Sequence, residues 1–335
     1  MDLAAELRSL ASVDSRLRLA AEERLTAAGP AGIEALAQLL ACEEIPDALR
    51  ARATDLHGAL VRAASYDAFV KAIPDPARPS LWAGAVALGA EGHPRLDSAS
   101  IDARLDALVT GARAADAGGD AVIARVERLN RFLFEEQGYH GDSETYQDVR
   151  NSYVSDVLER RQGIPVTLAV LWMTVADRLG LAVHGVGLPM HFVARCEAEK
   201  GPLYVDAFHG KVLDREGCVR LVADAAGRYV PLPDTTFRPL RSAEVLLRML
   251  RNLRHHHEKE GRLEAVLSAV DRALHLTPLD AAGWRDRAVV LSRLSRPGAA
   301  ARSLSRALAL DPQAPDRTML ETLRRRLQGE AAARN

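Results

Sequence analysis

His191 and Asp206 are the residues of this sequence that are best placed to do chemistry together. They belong to two segments of alternating apolar character, His191–Arg195 and Leu203–Phe208, which a polar turn joins. This pattern predicts an antiparallel hairpin. An imidazole and a carboxylate on neighbouring strands can hold or transfer a proton, so the pair suggests acid–base chemistry.

Two registers of this hairpin are possible. If Cys196 faces Leu203, His191 lies opposite Phe208 and one diagonal step from Asp206. A shift of two residues places His191 directly opposite Asp206. Both registers keep the two side chains on one face of the sheet, because side chains alternate between faces along a strand.

A long apolar segment precedes the hairpin. Gly163 and Pro165 open it and Gly180 closes it, which is the arrangement expected for a helix with Pro just inside its start and Gly just past its end. The segment between them has almost no polar stripe, so we expect a buried helix. A buried helix followed by antiparallel strands predicts an α+β domain.

The last third of the chain contains a repeat. Ala273–Pro278 recurs as Ala307–Pro312, 34 residues later, which is the length of a tetratricopeptide unit. We therefore predict a helical N-terminal region over residues 1–80, an α+β domain over 81–240 and an all-α tetratricopeptide region over 241–335. Residues 241–335 carry 18 Lys and Arg against 11 Asp and Glu, which suits either an acidic peptide or a solvated helical surface.

Composition excludes several classes of protein. The 335 residues carry 44 Lys and Arg against 45 Asp and Glu, so a dedicated nucleic-acid binder is not expected. The three cysteines are too few and too scattered for a disulfide framework or a Cys-based zinc site. No segment resembles a signal peptide or a membrane span, and we expect a cytoplasmic protein without a membrane partner.

Seven short motifs follow one another in the chain: Asn130–Gly138, Arg150–Ser152, Val157–Arg161, Gly163–Pro165, Gly185–Pro189, His191–Phe192 and Asp206–Gly210. In this order they resemble the bacterial SirB-type family, in which a transglutaminase-like, papain-related domain is joined to C-terminal tetratricopeptide repeats. Val149 and Ala207 stand where that family's pattern leads us to expect Pro.

The resemblance implies roles for the pair and a missing third partner. In the superfamily a nucleophilic Cys begins the buried helix, a His on a strand serves as base, and an Asp on the next strand orients it. His191 and Asp206 match the last two roles, but Pro165 occupies the position of the Cys. Proline has neither a nucleophilic side chain nor a backbone N–H for an oxyanion.

Other residues could replace the missing nucleophile. Thr167 is the nearest hydroxyl, although two residues along a helix turn it away from the direction of Pro165. Cys196 is predicted on the opposite face of the strand from His191, and the position of Cys218 is not constrained. A buried, inert thiol is the common state of a free Cys.

The remaining polar residues have two interpretations each. Asn151 and Tyr153, with Ser152 between them, could cap the helix that follows them or line a cleft that faces His191. His209 could join His191 and Asp206 in a metal site, but structural histidines are commoner and we predict no metal and no cofactor. The predicted binding cleft contains Asn151, Tyr153, Gly163, Pro165 and His209.

These patterns together favour a non-catalytic protein-binding or regulatory protein, a pseudoenzyme that binds a protein or peptide through residues 241–335. The alternative is a hydrolase or acyl transferase in which His191 and Asp206 act with an unrecognised nucleophile or an activated water. A metal-dependent site around His191, Asp206 and His209 is a third hypothesis.

Overall fold

The structure is a computed structural model that describes residues 2–116 and 121–333. The predicted regions 1–80, 81–240 and 241–335 also include residues 1, 117–120 and 334–335, which lie outside the described part. In the described ranges, no helix combines the length and the apolar character needed to span a membrane. The α-helices are α1 (Leu3–Leu10), α2 (Ser15–Ala27), α3 (Pro30–Leu40), α4 (Asp47–Ala72), α5 (Leu81–Leu88), α6 (Ser98–Ala115), α7 (Val122–Asn130), α8 (Val154–Arg160), α9 (Pro165–Arg178), α10 (Arg215–Ala226), α11 (Ser242–Lys259), α12 (Leu263–Leu276), α13 (Ala281–Arg293), α14 (Pro297–Leu310) and α15 (Arg317–Ala332). The strands are β1 (His140–Gly141), β2 (Gln162–Gly163), β3 (Val183–Leu188), β4 (His191–Cys196), β5 (Leu203–Asp206) and β6 (Lys211–Leu213).

The chain divides into two compact units. The sheet unit contains Ala72–Gly89 and Asp97–His256. The helical unit contains Met1–Lys71, Ala90–Leu96 and His257–Asn335, so that the first and the last parts of the chain belong to one unit.

Helix α9 forms the centre of the sheet unit. It begins at Pro165 and its side chains are buried along nearly its whole length, as its apolar sequence predicts. The helix packs against β3, β4 and β5. This arrangement confirms the predicted α+β class, with a buried helix on an antiparallel sheet.

The antiparallel sheet has the strand order β3-β4-β5-β6. Cys196 pairs with Leu203, so the first of the two predicted registers is present. Strand β6 was not predicted from the sequence. Two-residue strands β1 and β2 pair in parallel and were not predicted either, because segments this short carry no periodicity.

The repeat region is built from α12 to α15, which pack on one another in chain order. Helices α12 and α14 end two residues before Pro278 and Pro312, as expected of residues that cannot continue a helix. A shared core of Val266, Leu291 and Leu304 joins these helices. The tetratricopeptide prediction is confirmed.

Helix α4 packs against α12 through polar contacts inside the helical unit. Arg62 donates to Glu264 at 3.2 Å and to Asp271 at 3.1 Å. The hydroxyls of Ser65 and Ser268 lie 3.0 Å apart. The N-terminal helices therefore share an interface with the repeat helices, which the sequence did not reveal.

Candidate functional site

His191 begins β4 directly after a tight turn. Leu188 pairs with His191, so only Pro189 and Met190 connect β3 to β4. Met190 has a φ of 61° and its side chain is 63% exposed. A left-handed conformation is unfavourable for a residue other than Gly, so the surrounding hairpin must hold this turn in place.

The hairpin register brings His191 and Asp206 into contact. His191 Nε2 lies 2.9 Å from Asp206 Oδ1, and the residues are only 7% and 1% exposed. The backbone N–H of Phe208 donates to the same carboxylate oxygen at 3.1 Å. Since an ionised carboxylate only accepts hydrogen bonds, Nε2 carries the imidazole proton and Nδ1 is left as the basic nitrogen.

His209 completes this group on the other side of the carboxylate. Its Nδ1 lies 2.6 Å from Asp206 Oδ2, and its ring stacks on that of His191 with the centroids 6.0 Å apart. Burial opposes ionisation of Asp206, but the hydrogen bonds and charges of the two histidines hold the pKa of its carboxyl below its ordinary value. We call His191, Asp206, Phe208 and His209 the His191 cluster.

The same cluster could accommodate a metal ion. One ligand atom each from His191, Asp206 and His209 lie within 4.8 Å of one another. Two imidazole nitrogens and a carboxylate oxygen are a donor set that zinc accepts. In the described geometry the two imidazole protons satisfy the carboxylate instead, and the prediction of no metal stays a prediction.

The residue at the nucleophile position and the nearest hydroxyl are held in other contacts. Pro165 is buried at the first helical position of α9. The hydroxyl of Thr167 donates to the carbonyl of Asn151 at 2.7 Å and accepts the N–H of Ile164 at 3.2 Å. Thr167 is fully buried, so its hydroxyl serves to fix the start of α9.

The two buried thiols are poor nucleophiles at neutral pH. Burial raises the pKa of Cys196 to about 11 and that of Cys218 to about 12. Because the thiolate is the reactive form, thiols with these pKa values are almost entirely protonated and unreactive near pH 7. Cys42 is exposed and belongs to the helical unit, whereas the His191 cluster belongs to the sheet unit.

Asn151 is engaged in structural hydrogen bonds. Its side-chain nitrogen donates to Asp142 at 3.0 Å and to the carbonyl of Thr145 at 2.9 Å. Its side-chain oxygen accepts from Arg160 at 3.2 Å. Burial opposes ionisation of Asp142, but Thr145, Asn151 and Arg160 hold its pKa below the ordinary value. Asn151 therefore anchors the loop before α8, and Tyr153 is buried at the N-cap of that helix without a side-chain cap.

A segment that the sequence did not single out connects the two groups of predicted site residues. The Gly141 N–H donates to the Phe208 carbonyl at 3.0 Å, and the Asp142 N–H donates to the Gly163 carbonyl at 3.1 Å. A Cβ atom at Gly141 would lie 2.4 Å from the ring of Phe208, and one at Gly163 would lie 3.0 Å from Thr167 Oγ1. Both glycines are needed because the chain passes too close to these neighbours for a larger residue.

Aromatic rings and one arginine lie on the remaining sides of the His191 cluster. The ring of Phe208 meets that of His191 edge-on, with centroids 6.2 Å apart, and the ring of Tyr146 meets Phe208 at 6.1 Å. Arg248 of α11 reaches the carbonyl of His191 with Nη2 at 3.4 Å. Phe208 lies inside the Asp206–Gly210 motif and could have been found there, whereas nothing in the sequence connects Arg248 to His191.

Comparison with known proteins agrees with this architecture. A profile of the transglutaminase-like superfamily matches residues 99–251, and a tetratricopeptide-repeat profile matches residues 253–325. A UPF0162 protein of Xylella fastidiosa is 33% identical over 236 residues, which are 69% of this chain and 84% of that protein. A UPF0162 protein of Pseudomonas aeruginosa is 31% identical over 234 residues, 69% of this chain and 85% of that protein.

The chain belongs to the UPF0162 family. This membership agrees with the SirB-type resemblance of its motifs. The UPF0162 chain also matches the human F-box only protein 21, at 30% identity over 145 residues that form 41% of this chain and 22% of that protein. The transglutaminase-like match contains the whole His191 cluster and Arg248.

Proposed function

We propose that this UPF0162 protein is a non-catalytic protein-binding or regulatory protein. In this proposal the transglutaminase-like domain lacks the nucleophilic thiol, and tetratricopeptide helices bind a protein or peptide through residues 241–335. The observation that carries it is the buried Pro165 at the start of α9, where the superfamily is expected to place its Cys.

The chemistry of the neighbouring groups supports this proposal. Acyl transfer requires a nucleophile beside an oriented base. The Thr167 hydroxyl is tied to Asn151, and burial raises the pKa values of Cys196 and Cys218 to about 11 and about 12. An imidazole without such a partner has no nucleophile to activate.

The helical unit offers the surface for a protein partner. Stacked tetratricopeptide helices commonly expose an extended surface to peptides and helices. Val289 of α13 and Met319 of α15 are 57% and 63% exposed, so both side chains are accessible to an apolar partner. Many arginines here are internally paired, among them Arg285 with Asp311 and Arg287 with Asp271. Because Asp271 and Asp311 themselves lie within residues 241–335, these pairs leave the basic excess of that range unchanged.

The catalytic half of the proposal is tested by restoring the missing thiol. The full chain should show no transfer of dansylcadaverine to a glutamine peptide and no hydrolysis of nitrophenyl esters above buffer. Pro165→Cys should react with iodoacetamide at neutral pH faster than the same variant with His191→Ala added, because the helix start and the imidazole favour a thiolate. Equal rates would show that position 165 is not the nucleophile position, and turnover by the unchanged chain would overturn the proposal.

The binding half is tested by surface substitutions. Proteins captured from a cell extract by the full chain should be lost when Val289 and Met319 are both changed to Asp. Leu19→Asp, at a residue 58% exposed on α2, is the matched control and should retain the same proteins. The effect on affinity should be about tenfold or more if the exposed pair lies at the centre of an interface. Equal capture by all variants would contradict a partner on this surface.

The His191–Asp206 pair supports a second candidate, a hydrolase that activates water. The observation that favours it is an oriented imidazole whose Nε2 is bonded to Asp206, while Nδ1 makes no hydrogen bond within the part of the chain that the structure describes. This enzyme would lose its activity in His191→Ala while the melting temperature stays nearly constant.

The predictions of a cytoplasmic location and of no nucleic-acid, membrane or cofactor partner form part of the first proposal, the non-catalytic binding protein.

A further inference from the structure

Arg248 lies beside the His191 cluster on a closely packed helix. Its helix, α11, packs so closely on the sheet unit that a Cβ atom at Gly185 would lie 3.0 Å from Val245, and one at Gly84 would lie 2.7 Å from Leu246. The N–H of Leu240, just before the helix, donates to the Gly185 carbonyl at 2.9 Å. The close packing of Val245 and Leu246 and the hydrogen bond of Leu240 therefore fix the start of α11, from which Arg248 projects.

The guanidinium of Arg248 has no acidic partner among the described residues. Its hydrogen bond to the His191 carbonyl is long, at 3.4 Å. Burial and the neighbouring Arg251 lower the pKa of Arg248, whereas Tyr146 acts in the opposite direction. A partly buried cation without a counter-ion is unfavourable, since it loses hydration and gains no Coulomb attraction.

Other partly buried arginines of the sheet unit are paired with carboxylates. Arg195 contacts Glu197 at 2.7 Å, and Arg125 contacts Asp116 at 2.8 Å. Arg160 contacts Asp148 at 3.5 Å. Arg248 differs from them in that it contacts the His191 carbonyl and has Arg251 and Tyr146, but no carboxylate, among its described charged and titratable neighbours.

The groups around Arg248 suit one class of ligand. Tyr146 is 43% exposed and carries a phenolic O–H, and the side chain of His209 is 47% exposed. A guanidinium offers N–H donors in a planar fork that matches the two oxygens of a carboxylate or phosphate. A negatively charged acceptor would supply the missing counter-charge and would leave the fold unchanged.

We propose that Arg248, with Tyr146 and His209 at the exposed edge of the His191 cluster, binds the oxyanion of a ligand, either a carboxylate or a phosphate. This site goes beyond the proposed function, because it lies in the sheet unit and does not depend on the tetratricopeptide surface. It also does not depend on whether the imidazole is catalytic.

The test measures melting temperatures of the full chain in sodium acetate, sodium phosphate and sodium chloride at equal ionic strength. A ligand that binds the folded state raises the melting temperature. The wild-type chain should melt higher in at least one oxyanion than in chloride, and the stronger of the two identifies the class of ligand. Arg248→Met keeps an apolar stem of similar length and should lose this increment.

Arg104→Gln is the matched control, because Arg104 is half exposed in the same unit and makes only a 3.9 Å contact with Glu159. This variant should keep the wild-type increment, which separates a bound anion from the general effect of such salts on stability. An equal increment in Arg248→Met and Arg104→Gln, or none in the wild-type chain, would overturn the site.

A second measurement remains decisive if Arg248→Met does not fold. Titration of the wild-type chain with acetate and with phosphate should shift the imidazole nitrogen resonances of His191 and His209 in a saturable way. Arg248→Lys should bind about tenfold more weakly, because it keeps the charge but loses the fork. Resonances that do not move with either anion would reject the proposal.

Discussion

Two groups of buried polar side chains, one in each unit, are organised in opposite ways. In the helical unit Arg272 is fully buried against Glu91, and His257 Nε2 lies 2.5 Å from Glu91 Oε1. In the sheet unit Asp206 orients His191, but imidazole Nδ1 and the guanidinium of Arg248 have no acidic partner in the described part of the chain.

The difference distinguishes a group whose charges are mutually paired from one in which a cation has no counter-charge within the described ranges. Charges that neutralise one another inside a fold connect segments that are distant in sequence, here Ala90–Leu96 with the repeat helices. An imidazole nitrogen and a guanidinium that have no acidic partner can still form a hydrogen bond or an ion pair with a ligand. We therefore expect the proposed oxyanion to bind beside the His191 cluster, and we expect the Glu91 group to contribute to stability.

The largest effect is expected from Glu91→Gln. This change leaves the buried Arg272 without its counter-charge, and the free energy of unfolding should fall by about 3–5 kcal/mol. Glu34→Gln removes one partner of the exposed Arg95–Glu34 pair and is the matched control, with an expected loss of less than about 1 kcal/mol. Urea unfolding of both variants measures the difference, and equal losses would show that the Glu91 group is not a structural connection.

The same group predicts a dependence on pH. Burial opposes ionisation of Glu91, but Arg272 and His257 hold its pKa below the ordinary value in the folded chain. Its stabilising contribution is therefore present above the unfolded pKa of about 4.3 and is lost as the pH falls through the lower folded pKa. Wild type should lose more stability than Glu91→Gln between pH 6 and pH 3, and parallel curves would contradict this.

A smaller effect is expected from Gly141→Ala. The new methyl group would meet the Phe208 ring at 2.4 Å, so the ring must move away from His191, with a loss of about 1–3 kcal/mol. Gly187→Ala is the control, because its methyl group would find only an ordinary 3.5 Å contact with Leu240. The imidazole resonances of His191 should shift in the first variant alone. Unchanged resonances in Gly141→Ala would mean that Phe208 does not position the imidazole.

Asp206→Asn should change the tautomer of the His191 imidazole and should lower the free energy of unfolding only moderately. The amide still accepts one hydrogen bond but leaves an imidazole donor unsatisfied, at a cost of about 1–2 kcal/mol. Nitrogen NMR should find the proton of His191 on Nε2 in the wild type and a mixture of tautomers in the variant. The pKa of Asp206 is lowered by folding, so its contribution is lost as the pH falls below about 4, and the variant should not show this loss. One tautomer in both proteins would contradict the orienting role.

The smallest effect concerns thiol reactivity, which should leave stability unchanged. Cys42 is exposed, whereas burial raises the pKa values of Cys196 and Cys218 to about 11 and about 12. Ellman's reagent at pH 8 should therefore modify Cys42 rapidly and the other two only after denaturation. Cys42→Ser is the control and should show almost no rapid reaction. Rapid modification of a second thiol would show that Cys196 or Cys218 is accessible and reactive, and either could then be a nucleophile.

The predictions that succeeded depended on signals within short segments. The start of α9 at Pro165, the hairpin and the contact between His191 and Asp206 follow from turn residues and from the two-residue period of strands. The repeat helices follow from the spacing of Pro278 and Pro312. Each of these signals lies within about forty residues and depends on local geometry.

The roles of the predicted cleft residues could not be obtained in this way. The sequence left Asn151 equally consistent with a cap or with a cleft, and only the structure shows that its side chain donates to Asp142 and to the Thr145 carbonyl. A polar residue takes whichever partner the folded chain brings near it, and the sequence around Asn151 does not specify that partner.

The sequence by itself therefore determined the family, the α+β core, the repeat helices and the His191–Asp206 pair. Only the tertiary structure placed Arg248 against His191, 57 residues earlier in the chain, and joined Glu91 to Arg272 across 181 residues. The physical reason is that local sequence patterns specify which face of a helix or strand is buried. The neighbour that a side chain meets across the core is decided by how the elements pack.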